Sequence, residues 1–267
     1  IKRNANGGGF EWIIGQITQA GMSYSSKIIA TLLQSQYRNF MVEVDSLDRR
    51  MGDLRYIKRD LGVWMRAYVG EATKAPNDFS VSSTDNYYSV WAGVDFNSIG
   101  LTVHNFAGMF FNYTGINSES KDFKGSGYNI GVGFYDTFKA FSGFYADFLI
   151  KYIYSSTSFD ISNYALAKNK PEIDNHKFLL NAEVGYTFYY GEKFKSGYIE
   201  PQFHGTSGYF DQASLEVVDV SGEKIYATMA RNFPITMRAG VFWGQVFGEK
   251  IKSHIKLGSS FAYDVNS

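Results

Sequence analysis

The chain has 267 residues, 45% of them hydrophobic and 18% aromatic, with 26 basic and 26 acidic side chains and no cysteine. The absence of cysteine excludes a disulfide scaffold, a zinc-thiolate site and thiol catalysis, and the balanced charge, with a pI near 7.1, gives no global field for nucleic acid, so no nucleic-acid partner is expected. Twenty Tyr and 23 Phe at a mean hydropathy of −0.22 are more aromatics than a globular core needs, which places them on a surface. No stretch approaches ~18 uncharged apolar residues and no signal-peptide pattern opens the chain, so any membrane passage has to use strands.

Gly7, Gly8 and Gly9 form a flexible run near the N-terminus. Further on, Ile28, Ile29, Leu32, Leu33, Tyr37, Phe40, Met41, Val44, Leu47, Met51 and Leu54 recur at helical intervals. They predict a helix over residues 26–53, about 40 Å long, with Ser25 or Ser26 as its cap. Gln34, Gln36, Arg38, Glu43, Asp45, Asp48, Arg49 and Arg50 occupy its other face, so it is amphipathic rather than lipid-spanning. A surface helix on a soluble domain has the same pattern.

From Leu61 the period switches to two. Val63, Met65, Ala67 and Val69 oppose Trp64 and Arg66; Val90, Ala92, Val94 and Phe96 oppose Ser89, Trp91 and Asp95. Tyr128, Ile130, Val132 and Phe134 oppose three alternating small residues, and Phe144 to Tyr154 oppose Asp147 and Lys151. Phe178, Leu180, Ala182, Val184, Tyr186, Phe188 and Tyr190 oppose Lys177, Asn181 and Glu183. Ile199, Pro201 and Phe203 face away from Glu200, Gln202 and His204; Met237, Ala239, Val241 and Trp243 from Arg238; Ile255, Leu257, Phe261 and Tyr263 from His254 and Lys256. Residues 101–113 are apolar on both parities, which predicts a bulge. The count is about nine strands of about 8 to 12 residues, and a tilted transmembrane strand needs about 9–11.

A soluble antiparallel sandwich alternates too. Two features favour a membrane barrel. The apolar faces end in aromatics such as Tyr87, Tyr88, Tyr152, Tyr154, Phe188 and Tyr190, as interfacial girdles do. The polar faces carry Arg66, Asp95, Asp147, Lys151, Glu183, Glu200 and Arg238 in mid-strand, which a solvated or plugged lumen holds and a dry sandwich interior does not. The expected fold is therefore an all-β transmembrane antiparallel barrel of the outer-membrane type.

The run Leu47-Asp48-Arg49-Arg50-Met51-Gly52-Asp53-Leu54-Arg55, followed by Gly62-Val63-Trp64-Met65-Arg66 and Gly70-Glu71, resembles the opening of the translocator domain of type Va autotransporters. Gly93-Val94-Asp95, Gly143-Phe144-Tyr145-Ala146-Asp147, Glu200-Pro201-Gln202 and Arg238-Ala239-Gly240 extend the likeness in the same order, and the many aromatics point to the vacuolating-cytotoxin-like branch. The resemblance implies a pore-threading helix that ends in the arginine-rich segment, inside a barrel of twelve strands. This chain stops at Val265-Asn266-Ser267, without the family's terminal aromatic, so three further strands are expected outside it; nine alone would leave an exposed edge.

On this resemblance residues 1–25 are a passenger remnant or linker, residues 26–55 the pore helix and residues 56–267 an outer-membrane barrel in a Gram-negative bacterium. Its function is secretion and surface display of its own N-terminal passenger. Its partners are that passenger, outer-membrane lipid, the barrel-assembly machinery and periplasmic chaperones, and it is expected to be monomeric. Leu33, Phe40, Arg49, Arg50, Met51, Gly52, Asp53, Leu54 and Arg55 are the expected helix residues of the site. Trp64, Arg66, Asp95, Asp147, Lys151, Glu183, Glu200 and Arg238 are the expected lumen residues. Arg49, Arg50 and Arg55 should meet Asp95, Asp147, Glu183 or Glu200; Glu43, Asp45 and Asp48 should meet Arg66, Lys151 or Arg238.

No enzymatic role is expected. Asn4, Asn6 and Asn39 form no Asn-Asn pair of the kind at which some family members cut themselves, and His204 with Ser207 is the nearest approach to a hydrolase pair. His104, His176, His204 and His254 have no metal-ligand spacing, and no cofactor is expected. The alternatives are a non-secretory porin or adhesin barrel plugged by its helix, and a soluble ligand-binding sandwich.

Overall fold

The structure, a computed structural model, describes residues 2–3, 12–13, 22–54, 61–163, 166, 170–191, 197–247 and 253–264; for 2–3, 12–13, 45–54, 61, 246–247, 253–254 and 264 only the backbone is considered. Two short strands, β1 (Lys2–Arg3) and β2 (Trp12–Ile13), pair with each other ahead of the helix α1 (Tyr24–Leu54). At 31 residues α1 is about 46 Å long. Its cap is Ser23, two or three residues earlier than the sequence pattern suggests: the Ser23 hydroxyl oxygen accepts the Ser26 backbone N–H at 3.2 Å, while Ser25 and Ser26 lie inside the first turn.

Around α1 curls one antiparallel sheet. Its strands are β3 (Leu61–Lys74), β4 (Ser83–Ile99), β5 (Val103–Glu119), β6 (Phe123–Ala140), β7 (Phe144–Ile161), β8 (Glu172–Tyr186), β9 (Phe188–Tyr190), β10 (Gly197–Phe210), β13 (Ile235–Phe247) and β14 (Ser253–Asp264). β11 (Ala213–Val218) and β12 (Lys224–Met229) form a separate hairpin between β10 and β13. Neighbours follow chain order from β3 to β14, with β9 continuing β8 past Thr187 beside β10. Among the described residues β3 and β14 are the two edges.

The period-two pattern decides the two faces. Val63, Phe111, Val132, Ile150, Leu180, Phe203 and Val241 project outward and are exposed to what surrounds the wall; Trp91, Asn112, Lys151, Lys177 and Glu200 point inward and are buried. Apart from the short β9, the strands of the wall have 12 to 18 residues, most of them longer than the expected 8 to 12. The expected bulge is absent: β5 keeps unbroken register with β4 and β6 from end to end. Its second apolar parity has another cause, because Phe106 and Phe110 are buried inside the lumen, where Phe110 stacks on Trp91 at 5.0 Å.

The two ends of the wall differ. At one end the β4–β5 and β6–β7 connections are tight. At the other lie the β7–β8 connection, the β11–β12 hairpin and the N-terminus of α1. There Ala213, Leu215 and Val217 of β11 close over Ile28, Ile29 and Leu32 of the helix, together with Phe123, Phe159, Ile161 and Ile173 of the wall. The stretch between β10 and β13 is thus a hairpin with one apolar face, docked on the helix. Long connections mark the outer side of such barrels.

Candidate functional site: a helix seated in the lumen

The site is the interface between α1 and the inner face of the wall. Its centre is Glu43, which is 0% exposed. The carboxylate pairs with the Lys151 ammonium from β7, also 0% exposed, and accepts carboxamide N–H bonds from Asn112 of β5 and Asn129 of β6, each at 3.0 Å. Lys151 lies 3.9 Å from the centroid of the Trp91 ring, a cation-π contact beside the ion pair. Gly131 leaves the space for this cluster, since a Cβ there would fall 2.1 Å from the Asn112 side-chain oxygen and 2.5 Å from Lys151 Cε. A buried charge is tolerated only when paired and hydrogen-bonded, and three strands supply what Glu43 needs.

The polar contacts continue one and two helical turns towards the outer end. Lys177 of β8 donates to Gln36 at 3.2 Å and to Ser155 at 2.9 Å. Arg38 pairs with Asp85 of β4, and Lys74 of β3 bonds Gln34. The Thr31 hydroxyl accepts the Val81 backbone N–H at 2.9 Å and donates to the Lys27 carbonyl at 2.7 Å. Between and beside these polar contacts the packing is apolar: Phe40 and Val44 pack among Trp91, Phe110, Tyr135, Leu149, Ile153, Leu179 and Phe210, with Phe40 4.7 Å from the Phe210 ring. Among the described residues the helix therefore has both polar and apolar wall neighbours, and Gln34, Gln36, Arg38 and Glu43 of its polar face meet lumen side chains.

Of the expected pairs, Glu43 with Lys151 is formed. Asp45, Asp48, Arg49, Arg50, Met51, Gly52, Asp53 and Leu54 lie on the last turns of α1, but their side chains, and all of Arg55, fall outside the described residues. Leu33 packs on the cluster under the hairpin. Trp64 donates its indole N–H to Asp95 and to the Tyr135 hydroxyl, both at 3.1 Å. Glu183 accepts the Tyr145 hydroxyl at 3.0 Å, and Glu200 accepts Thr187 at 3.0 Å and Lys256 at 2.8 Å. Asp147 lies opposite Glu183 and Arg238 opposite His204 on neighbouring strands, on the lumen face, and Arg66 projects from β3 onto the same face. Glu200 thus has wall partners in Thr187 and Lys256.

Asn112, Asn129, Lys177, Asp85 and Lys74 of the wall and Gln36 of the helix take part without having been expected as site residues, whereas Glu43 was expected through its pairing. Glu43 interrupts the apolar run Val42-Glu43-Val44, and that interruption is the signal that finds it. His204 and Ser207 form no pair. His204 is inside, bonded to Asn181 at 2.5 Å and to Thr206 at 3.1 Å, while Ser207 has the opposite parity on β10 and faces outward.

The family model described as the autotransporter beta-domain matches residues 63–264. The serine protease SepA autotransporter of Shigella flexneri is 29% identical over 256 residues, which cover 96% of this chain and 18% of that protein. Such relatives are serine protease autotransporters, and the chain spans about a fifth of their length. Among solved structures, the translocator domain of NalP from Neisseria meningitidis is similar with a TM-score of 0.69 at 10% identity, covering 90% of this chain and 80% of that one. The beta domain of the Bordetella autotransporter BrkA is similar with a TM-score of 0.62 at 15% identity, covering 78% and 82%. A pore helix inside an outward-apolar antiparallel wall, together with the family match over three quarters of the chain, settles the class: the chain belongs to the autotransporter beta-domain family and is an outer-membrane translocator domain of a Gram-negative bacterium.

Proposed function

We propose that α1 is the final segment of a passenger's path through the barrel, and that the Glu43 cluster fixes where the path stops. A chain passing outward through the lumen has no preferred depth until a buried charge finds its partners. A slip of one turn, about 5.4 Å, towards the inner end would carry the Glu43 carboxylate from Lys151, Asn112 and Asn129 to Tyr135 and Leu149, which offer no cation. The buried pair thus acts as a register device. The observation that carries the reading is this pair, joining the helix to the middle of the wall with neither group exposed.

In this reading residues 1–25 are the end of the passenger and its linker, residues 26–55 the thread and residues 56–267 the barrel. Leu33 and Phe40 seat the thread, and Arg49, Arg50 and Arg55 serve the inner mouth, paired with Asp95, Asp147, Glu183 or Glu200. The protease activity named for the relatives belongs to the part of such proteins beyond this chain, and the barrel itself performs no catalysis. Insertion relies on the barrel-assembly machinery and periplasmic chaperones, and the barrel works as a monomer.

Planar-bilayer recordings test the plug. Deleting residues 24–54 is expected to turn a barely conducting barrel into one with steady open-channel current. A deleted form that inserts and conducts like the parent would overturn the threaded arrangement.

A further inference from the structure

A membrane-spanning strand needs about 9–11 residues, yet β6 and β7 have 18 each, so the wall continues past the hydrocarbon at its outer end. The level where it leaves is marked by a tyrosine belt on the outward face: Tyr88, Tyr113, Tyr128 and Tyr154, with neighbouring ring centroids 6.2 to 6.3 Å apart. Directly above it the outward positions change character. Asn86, Asn117, Ser126 and Ser158 form one row, each the register partner of the next across β4 to β7, and all four are exposed. They line two adjoining hollows of about 500 and 240 Å³, the second reaching down to the tyrosines.

The chemistry of the larger hollow is selective. Its charges are Lys124 and Lys170 against Glu119 and Asp160, two basic and two acidic, so it has no net attraction for a bare anion or cation. Lys124 is also the register partner of both Glu119 and Asp160. What remains is amide and hydroxyl groups over aromatic faces. That set suits a polyhydroxylated ring, whose hydroxyls take the hydrogen bonds and whose C–H face rests on tyrosine. The surface is continuous with the lipid-facing wall and shares its parity, so an occupant is one held at the membrane surface.

We propose that the outward rim of β4 to β7, built on Asn117 and Ser126 above Tyr113 and Tyr128, binds the sugar headgroup of a glycolipid in the outer leaflet. The inference goes beyond translocation, and its failure would leave the threaded helix untouched.

The test is calorimetric titration of the folded full chain in detergent with three probes: rough-type lipopolysaccharide, lipid A without core sugars, and the free core oligosaccharide. The sugar-bearing lipid is expected to bind at least about tenfold more tightly than lipid A, the scale of two or more hydrogen bonds. Asn117→Ala with Ser126→Ala should remove most of that preference, and Tyr128→Leu should reduce it independently. Phe111→Leu, lower on the same face, should leave it unchanged. Folding of each variant is checked by its heat-dependent shift on a gel, and these exposed positions tolerate truncation. Equal affinity for the two lipids, parent-like binding by both rim variants, or equally tight binding of the free oligosaccharide would overturn the proposal.

Discussion

Glu43 of the helix and Lys151 of the wall are both fully buried and meet as an ion pair 108 residues apart in sequence. Removing one partner of such a pair leaves an uncompensated buried charge, at a cost of about 3–5 kcal/mol. Glu43→Gln is therefore expected to destabilise the folded chain by that order and Lys151→Met by a similar amount. The double variant should recover most of the loss, because neither charge then remains. Unfolding titrations in detergent on the four proteins of the cycle measure the coupling, and additive losses would show that the pair is not a unit.

The assignment of faces predicts an asymmetry. Val184 is 40% exposed on the outward face of β8, so Val184→Arg should cost about 2–4 kcal/mol near the bilayer midplane. Sequence parity alone makes Asn181→Arg the mild counterpart on the lumen side. The structure changes that choice, since Asn181 is buried against His204 and Thr206. Ser260→Arg, on the exposed inner face of β14, is the mild partner instead. Folding titrations in lipid that rank Ser260→Arg above Val184→Arg in cost would reverse the faces.

Much of this architecture was legible in the sequence, because a strand's side chains alternate without exception and each parity has one solvent. Every strand set of the wall, from Val63 with Met65 to Phe261 with Tyr263, lies on the face its pattern assigns. The failures share a cause. Phe106 and Phe110 made β5 look irregular because a lumen filled by a helix has an apolar inner surface that no local pattern announces. Leu215 and Val217 are not singled out by the sequence pattern because their partners, Ile28 and Leu32, are far away in the chain. Asn112 and Asn129 are ordinary lumen amides until Glu43 is brought between them.

The β11–β12 hairpin should resist protease except at its tip. Val220 is 68% exposed, and Asp219 and Glu223 close the turn through the Asp219 N–H donated to the Glu223 carbonyl at 2.9 Å, whereas Ala213, Leu215 and Val217 are buried. Brief proteolysis of intact cells should cut within residues 219–224 and spare 213–217. Leu215→Ala, a core truncation of the kind that costs about 2–5 kcal/mol, should open the hairpin and spread cleavage into β11. Early cuts in β11 of the parent would show that the hairpin does not dock on the helix.

The same tip should respond to acid. The Ser221 hydroxyl, donating to Asp219 at 2.6 Å, is the main cause that holds the Asp219 carboxyl below its ordinary value, assisted by the Glu223 and Ser221 backbone N–H groups at 2.9 and 2.8 Å. A depressed folded-state value means that the carboxylate's contribution is complete above the ordinary aspartate range, about pH 4, and is lost as the pH falls through the lower folded value. Exchange of the Ser221 and Glu223 amides should accelerate on acidification relative to intrinsic rates in the parent, and not in Asp219→Asn. An Asp219→Asn protein with the parent's acid response would assign the effect to another group.

The seat of the helix can be tested from the wall side alone. Phe40 rests on Gly208 of β10, where an added Cβ would lie 2.6 Å from the ring's Cζ and 3.1 Å from Cγ of Pro234. The ring cannot retreat easily, because Phe210 stands 4.7 Å away on one side and the apolar cluster of Trp91, Phe110 and Leu179 fills the space beyond. Gly208→Val should therefore displace the helix without altering any helix residue or any charge of the Glu43 cluster. The expected result is a barrel that still inserts, melts lower and conducts more, with the loss reduced by Phe40→Ala in the same chain, since truncating the ring removes the clash. Replacing Leu33 and Phe40 together by Asp should give the same phenotype from the helix side. If Gly208→Val lowers stability equally with and without Phe40→Ala, the strain lies within the wall and Phe40 is not what the glycine accommodates.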